Sequence, residues 1–574
     1  MANTQHGMLV AFGEFLKQHG LIERLMNVPV SQKTRTFAPQ TKLVEFLAGI
    51  MSGLEHLEDL NDGPRPLAKD PVVAQAWGQP GFAHSSSVSR TLDACDGETV
   101  AAVERAIQAF SQPFLTTTVQ DLLRRGEPIV YDFDLTGQAV SSTSTTYPGV
   151  AFGWMNDGVK LGYQLARVCL SPQAGERVWL AGFHHPGDTV SATCLQELVP
   201  AAEAQTHVRP RRRTELVQQR IEAQQAVITR THRLVSQQPA KLNRLLQAQT
   251  ELIGKIYHAE QVRKEPISSG KLARLKEQRA GWRKRLPRLD TQIANCRQVL
   301  AKHQAHARDQ ETALANLRAW QAQLEAENRT NPNPPPYVEA RMDAGFVSGA
   351  NLTWLLEMGY CPNTKAPNDR TTTALRARLS PQTRWVSVGA NAEMTAWGNY
   401  ALHGCPFPLT VALERFKVGR AYKYATLIHY RDDGVFPTLP VWFQHYNERQ
   451  TIEAGNKEMK GTFFVQHLMS RSPAGVRLQV LFTGLAANAV RWCVPWLKSC
   501  AAEPTPKLSR ALNSPKHLVR VAANAAALVQ RTACGTALQF TPESPFPGAT
   551  LFLKGVPAFQ LAFGFNQPCK IASG

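Results

Sequence analysis

Tyr446, Arg449, Glu453 and Lys460 lie in YNERQTIEAGNKEMK, spaced Tyr-x2-Arg-x3-Glu-x6-Lys. At roughly 100° per residue, these offsets fall within about 60° of one another on a helix. One helix face would then carry an aromatic hydroxyl, a guanidinium, a carboxylate and an ammonium. Such a set suits a carboxylate that ligates a hard cation while its basic neighbours hold a phosphate backbone. A solvated charged face is the ordinary fate of such a run. Two acidic strand ends upstream argue for chemistry instead. They are YDFDLTG, with Asp132 and Asp134, and ARMDAG, with Asp343. Oxygen ligands from strand ends and a helix can converge on Mg²⁺ or Mn²⁺. Two such ions activate a water or a 3′-hydroxyl and stabilise the leaving oxygen of a phosphodiester.

The elements that must position these side chains are legible as changes of period. Residues 1–120 read as helical, with TKLVEFLAGIMSGLEHLEDL as one apolar-periodic stretch. PVVAQAWGQPGFAHSSSVSRTLDAC then reads as a short helix, a turn, and a second helix starting near His84 or Ser85, from which Arg90 projects. That pattern suits a helix-turn-helix with a polar recognition helix, or an ordinary capped helix pair. EPIVYDFDLTG, KLGYQLARVCLS and ERVWLAGFHHPG read as three successive strands, with turns at NDG and QAGE and a helix from Thr189.

Residues 201–330 change again. Leu286, Leu289, Ile293, Cys296, Leu300, His303, Ala307, Gln310, Leu314, Leu317, Gln321 and Leu324 keep a 3-4 alternation, and a looser seam runs from Ile221 to Ile256. These predict an antiparallel helical hairpin that turns at EPISSGK and is interrupted near Pro239 and Pro287. It is strongly basic and includes Arg211, Arg212 and Arg213. A solvated spacer and a basic arm along DNA both fit.

After the NPNPPP linker, YVEARMDAGFVSGANLTWLLEMGY reads as a strand, an acid, a glycine turn and an amphipathic helix. RWVSVG, AEMTAW, PLTVALERF and AYKYATLIHY read as further strands. VRLQVLFTGLAANAVRWCVPWL is an apolar packing helix, and strands are expected near ALQFT and ATLFL.

Composition sets the class. The 574 residues carry a formal net charge of +19 and 43% hydrophobic residues, the balance of a globular protein with an acidic partner, most simply nucleic acid. No run of about 18 apolar residues appears, so no membrane span is expected. The N-terminus shows no signal-peptide pattern. The ten cysteines contain no CxxC, so neither zinc nor a disulfide framework is expected, and a cytoplasmic location is.

At DFDLTG, RMDAGF with NLTWLLEMGY, and YNERQTIEAGNKEMKGTF, the chain resembles bacterial insertion-sequence transposases of the DDE superfamily, in the group with a Tyr-Arg-Glu-Lys signature. The resemblance covers most of residues 120–495 outside the basic hairpin. It implies an α+β multidomain chain with a ribonuclease-H-like α/β core. The expected parts are a helical DNA-binding domain at 1–120, core segments at 121–200, 331–375 and 441–500, the coiled-coil insert at 201–330, a strand-rich insertion at 376–440 and a C-terminal region at 501–574. Asp343 and Glu453 match the second and third catalytic acids. Asp134 matches the first through its Asp-x-Thr context, with Asp132 in reserve. Tyr446, Arg449 and Lys460 match the signature residues that contact DNA phosphates. Trp385 and Trp397 are candidates to stack an extruded base, or core residues. The resemblance also implies two Mg²⁺ or Mn²⁺ ions, double-stranded transposon-end and target DNA as partners, and a homodimer on DNA associated with the nucleoid. A non-catalytic DNA-bridging protein and a nuclease without strand transfer are the competing functions.

Overall fold

The computed structural model describes residues 1–555 apart from 34–35, 156–157, 174–175, 265, 267, 368, 431–437 and 502–504. The turns expected at NDG, QAGE and EPISSGK fall partly outside these residues, as does the tail of the segment 501–574. The chain is α+β and forms two compact units. One comprises residues 1–210, 334–355 and 360–574, and the other residues 211–333 and 356–359.

The larger unit opens with a short strand, β1 (Ala2–Thr4), followed by helices up to Gly97–Arg124. Then come β2 (Ile129–Ala139), β3 (Ala151–Met155), β4 (Gly158–Leu170) and β5 (Val178–Pro186). The helix expected from Thr189 begins at Leu195, after a single turn of 3₁₀ helix. Past the basic hairpin the chain adds β6 (Val338–Met342) and β7 (Cys361–Lys365), then β8 (Val386–Ser387), β9 (Ala392–Ala401), β10 (Pro408–Val418) and β11 (Ala421–His429). Strands β1, β3 and β7 are additions to the expected set.

Strands β2 to β11 form one sheet. β2 lies between β4, antiparallel to it, and β6, parallel to it. β5 continues antiparallel beyond β4, and β7 parallel beyond β6. β11 joins the edge of β7 antiparallel, and β10, β9 and β8 follow. The strand-rich segment therefore extends the central sheet. Parallel neighbours need a long crossover, and the β2–β6 connection contains the whole basic hairpin.

The N-terminal helices share one apolar core with the helix Pro473–Cys500 and with the C-terminal strands β12 (Ala527–Thr532), β13 (Gly535–Phe540) and β14 (Thr550–Leu553). β1 pairs with β12, so both ends of the described chain close one small sheet. Pro473–Cys500 is the one described helix long and apolar enough to cross a bilayer, but 67% of its apolar window is buried against protein. Phe482, Leu485, Val490 and Leu497 belong to the core, so it is a core helix.

The smaller unit is an antiparallel pair of helices, Thr214–Val262 and Ser269–Arg329. Gln224 bonds to Gln310, Gln249 to Asp290 and Arg283 to Glu260, fixing the antiparallel sense. Every seam residue from Leu286 to Leu324 is buried or half-buried, as the 3-4 alternation requires. The interruptions expected at Pro239 and Pro287 are absent, and both prolines lie inside continuous helices. Each proline removes one backbone bond, and the long partner helix holds the axis through that local loss.

Candidate active site

Strand alternation decides what β2 presents. Tyr131, Phe133 and Leu135 point to one face, and Asp132, Asp134, Thr136 and Gln138 to the other. A buried polar row must find partners, and one segment supplies most of them. Asn456 donates its amide to Asp134, Lys460 donates to the Thr136 hydroxyl at 2.7 Å, and Gln138 donates to the Val465 carbonyl at 2.7 Å. The helix Gln450–Gly461 is thereby docked along β2. Gly455 allows the close approach, since a Cβ there would stand 2.9 Å from the Trp179 ring.

Register then aligns two acids. Phe133 lies opposite Met342 across the parallel pair β2–β6, so Asp134 and Asp343 follow side by side, Asp343 just past the end of β6 and Asp134 in the middle of β2, which runs on to Ala139 instead of ending at its acids. Asp343 caps the single 3₁₀ turn after β6 by accepting the Gly345 N–H at 2.9 Å. Glu453 projects from the helix, and its side chain is 58% exposed. Arg449 joins all three. Its guanidinium lies 3.6 Å from Asp134, 3.4 Å from Asp343 and 3.6 Å from Glu453. The three carboxylates thus share one guanidinium. An all-oxygen set fits Mg²⁺ or Mn²⁺.

Electrostatics separate the acids. Burial lifts the Asp134 carboxyl to about 6, with Asp343 adding to the rise and Arg449, Arg167 and the Asn456 amide opposing it. A carboxyl whose folded-state pKa lies above its unfolded value binds extra protons when folded. Stability therefore falls as pH rises from about 4 to about 6, by up to about 3 kcal/mol. Denaturant melts of the metal-free protein across that range should show this slope, and Asp134→Asn should remove it.

Asp132, the reserve candidate, is fully buried and already engaged. It accepts from Arg341 at 2.6 and 2.9 Å and from Ser171 at 2.6 Å, with Arg177 at 3.7 Å. That carboxylate is a structural ion-pair partner, and Asp134 is the one of the two that faces Arg449, Asp343 and Glu453.

The signature residues are not on a single helix. Tyr446 belongs to Leu439–Asn447 and Lys460 to Gln450–Gly461, with Glu448 and Arg449 between them. Tight i to i−3 bonds, Arg449 to Tyr446 and Ile452 to Arg449, make the junction and turn the guanidinium toward the acids. The Tyr446 ring is buried against Met394, Ala412, Leu427 and Trp442, and burial pushes its hydroxyl up to about 12. Burial and the nearby Arg167 lower the pKa of the Lys460 ammonium, while Asp134 opposes the shift.

Among the other candidates, Arg90 is exposed on the helix Ser85–Ala94, where it bonds only within its own turn, to Ser86 and Ser87. Arg211 is exposed, but Arg212 and Arg213 are buried at 1% and 6% exposure. Arg212 bonds to Glu327 and the Met358 carbonyl, and Arg213 to the Leu356 carbonyl. Both are committed to carbonyls around a helix end, so neither is available to DNA. Trp385 and Trp397 are half-buried, which removes the core reading, and the Arg415 guanidinium stacks 3.9 Å over Trp385.

Two site residues escaped the sequence reading. Arg167 lies opposite Asp134 on β4 and donates to Asn456 at 3.0 Å, so it braces the acid indirectly. Its signal was a lone charge inside the apolar run YQLARVCL. Asn456, three residues after Glu453, had no distinguishing signal.

No known family model matches this chain, and no curated protein matches it as a relative.

Proposed function

We propose that this chain is a DDE-type DNA transposase with a ribonuclease-H-like core, which binds transposon ends, cleaves them and joins the freed 3′-end to target DNA. The single observation that carries the reading is the gathering of Asp134, Asp343 and Glu453 around the Arg449 guanidinium, from the neighbouring parallel strands β2 and β6 and from the docked helix. The order β5–β4–β2–β6–β7, with β4 antiparallel to both β2 and β5, and β6 and β7 parallel to β2, supports that core.

In this reading the three carboxylates hold two Mg²⁺ or Mn²⁺ ions, which supply an activated water or 3′-hydroxyl and charge stabilisation at the leaving oxygen. The residues of the chain do the rest. Asn456 and Arg167 fix the rotamer of Asp134. Arg449 lies within reach of the acids and of a phosphate placed on them, where a planar guanidinium binds oxygen pairs well. Lys460 adds positive charge along the strand end. Tyr446 packs the helix that presents them. The protein would act in the cytoplasm on nucleoid DNA, as a dimer that pairs two ends. The decisive assay is cleavage of end DNA in Mg²⁺ followed by recovery of joined products. Nicks without joined products would indicate a nuclease, and neither would indicate a bridging protein.

The basic hairpin has its own test. Residues 209–330 hold 25 Lys and Arg against 11 Asp and Glu, most of the surplus of the chain. Replacing residues 211–333 by a short linker should weaken DNA binding and flatten its dependence on salt, because each phosphate contact adds about 0.9 to the log–log slope. Equal salt slopes for the two proteins would assign the hairpin to spacing alone.

A further inference from the structure

A second constellation lies outside the acid triad. Glu55 and His56 sit in the loop that follows the helix Pro39–Met51, and His467 in the segment after Gln450–Gly461. One carboxylate oxygen and two imidazole nitrogens from these residues all lie within 4.8 Å of one another. The rings of His56 and His467 are stacked, with centroids 5.2 Å apart and 12° between planes. Nδ1 of His467 is buried, lies 3.5 Å from Oε1 of Glu55, and makes no hydrogen bond. Its Nε2 contacts Gln466 at 3.3 Å. The three side chains line a cavity of about 570 Å³ that His84 and Asp93 also border.

Two stacked imidazoles cannot hydrogen-bond to each other through their faces, and a buried ring nitrogen with no partner loses its hydration without return. A divalent ion repairs both. The donor set of two nitrogens and one oxygen suits Zn²⁺, whereas Mg²⁺ takes oxygen ligands. Tetrahedral Zn²⁺ with bonds of about 2.0–2.2 Å places its donors about 3.4 Å apart. Closing from 4.8 Å needs a shift of about an ångström or a little more, within reach of a loop side chain.

We propose that Glu55, His56 and His467 form a Zn²⁺ site, with water from the cavity in the fourth position. The ion would tie the loop beneath the Ser85–Ala94 helix to the segment leaving the Glu453 helix. The site is independent of the strand-transfer chemistry proposed above, and its test does not use that activity.

The test is calorimetric titration of the chelator-stripped full chain with ZnCl₂, alongside Asp343→Asn and the double variant His56→Ala/His467→Ala. The expected result is one tight equivalent in the wild type, kept in Asp343→Asn and weakened at least about 100-fold in the double variant, since even outer-shell partners cost about 10–100-fold. Zn²⁺ should also raise the melting temperature of the wild type and not that of the double variant. No tight equivalent in the wild type would overturn the proposal, as would unchanged affinity in the double variant. If the double variant does not fold, Glu55→Gln replaces a 44% exposed loop side chain and decides the matter. Weakening of at least about tenfold supports the site, and unchanged affinity overturns it.

Discussion

Glu453→Gln should abolish strand cleavage while binding of end DNA survives. The expected loss is on the order of a thousandfold or more, about 4 kcal/mol of transition-state stabilisation. The effect is chemical because little else depends on this side chain. It is more than half exposed, and its ion-pair contact is the Arg449 guanidinium at 3.6 Å. A surface change of that kind costs no more than about 0.5 kcal/mol of stability. An amide cannot supply the charge that a hard divalent ion requires of a ligand. Asp343→Asn should behave alike, since Asp343 keeps only a single-turn cap besides its place in the triad. The measurement is cleavage of labelled end DNA in Mg²⁺ beside a mobility-shift assay. Full cleavage by Glu453→Gln would sink the assignment of the triad.

Asp132→Ala and Asp134→Asn, two residues apart on one strand face, should have opposite consequences. Removing the Asp132 carboxylate leaves the Arg341 guanidinium, 2% exposed, without its bidentate partner. Breaking a buried pair from one side costs about 3–5 kcal/mol, so Asp132→Ala should be strongly destabilised. Asp134 is held in a place that already disfavours its charge. Its amide variant should retain or gain stability at neutral pH and lose cleavage. Chemical denaturation of both variants without metal, with the cleavage assay, separates the two roles. A large stability loss in Asp134→Asn, with normal cleavage by a folded Asp132→Ala, would reverse them.

The legibility of this protein in its sequence differs from element to element. The helical hairpin was readable to its seam, because a coiled pair needs only a local 3-4 repeat and local repeats are written in order. The strand YDFDLTG and the acid after ARM were readable because period-two alternation and a glycine turn are equally local. Strands β1, β3, β7 and β12 were missed, being three to six residues each with no clear alternation. The break between Tyr446 and Lys460 was missed because no proline or glycine marks it. Arg212 and Arg213 looked like surface charge because composition cannot reveal that a helix end nearby leaves carbonyls to be satisfied.

The sequence by itself determined which residue types were on offer: three acids, a basic helix face beside the third, and a basic hairpin. Only the tertiary structure decided which acid of the Asp132–Asp134 pair faces Arg449, Asp343 and Glu453. Alternation places residues two apart on the same face and cannot tell them apart. The choice falls to partners more than 200 residues away, Arg341 on β6 closing over Asp132 and the helix Gln450–Gly461 delivering Asn456 and Arg449 to Asp134. Such pairings are set by strand register and helix docking, which depend on the whole packed core.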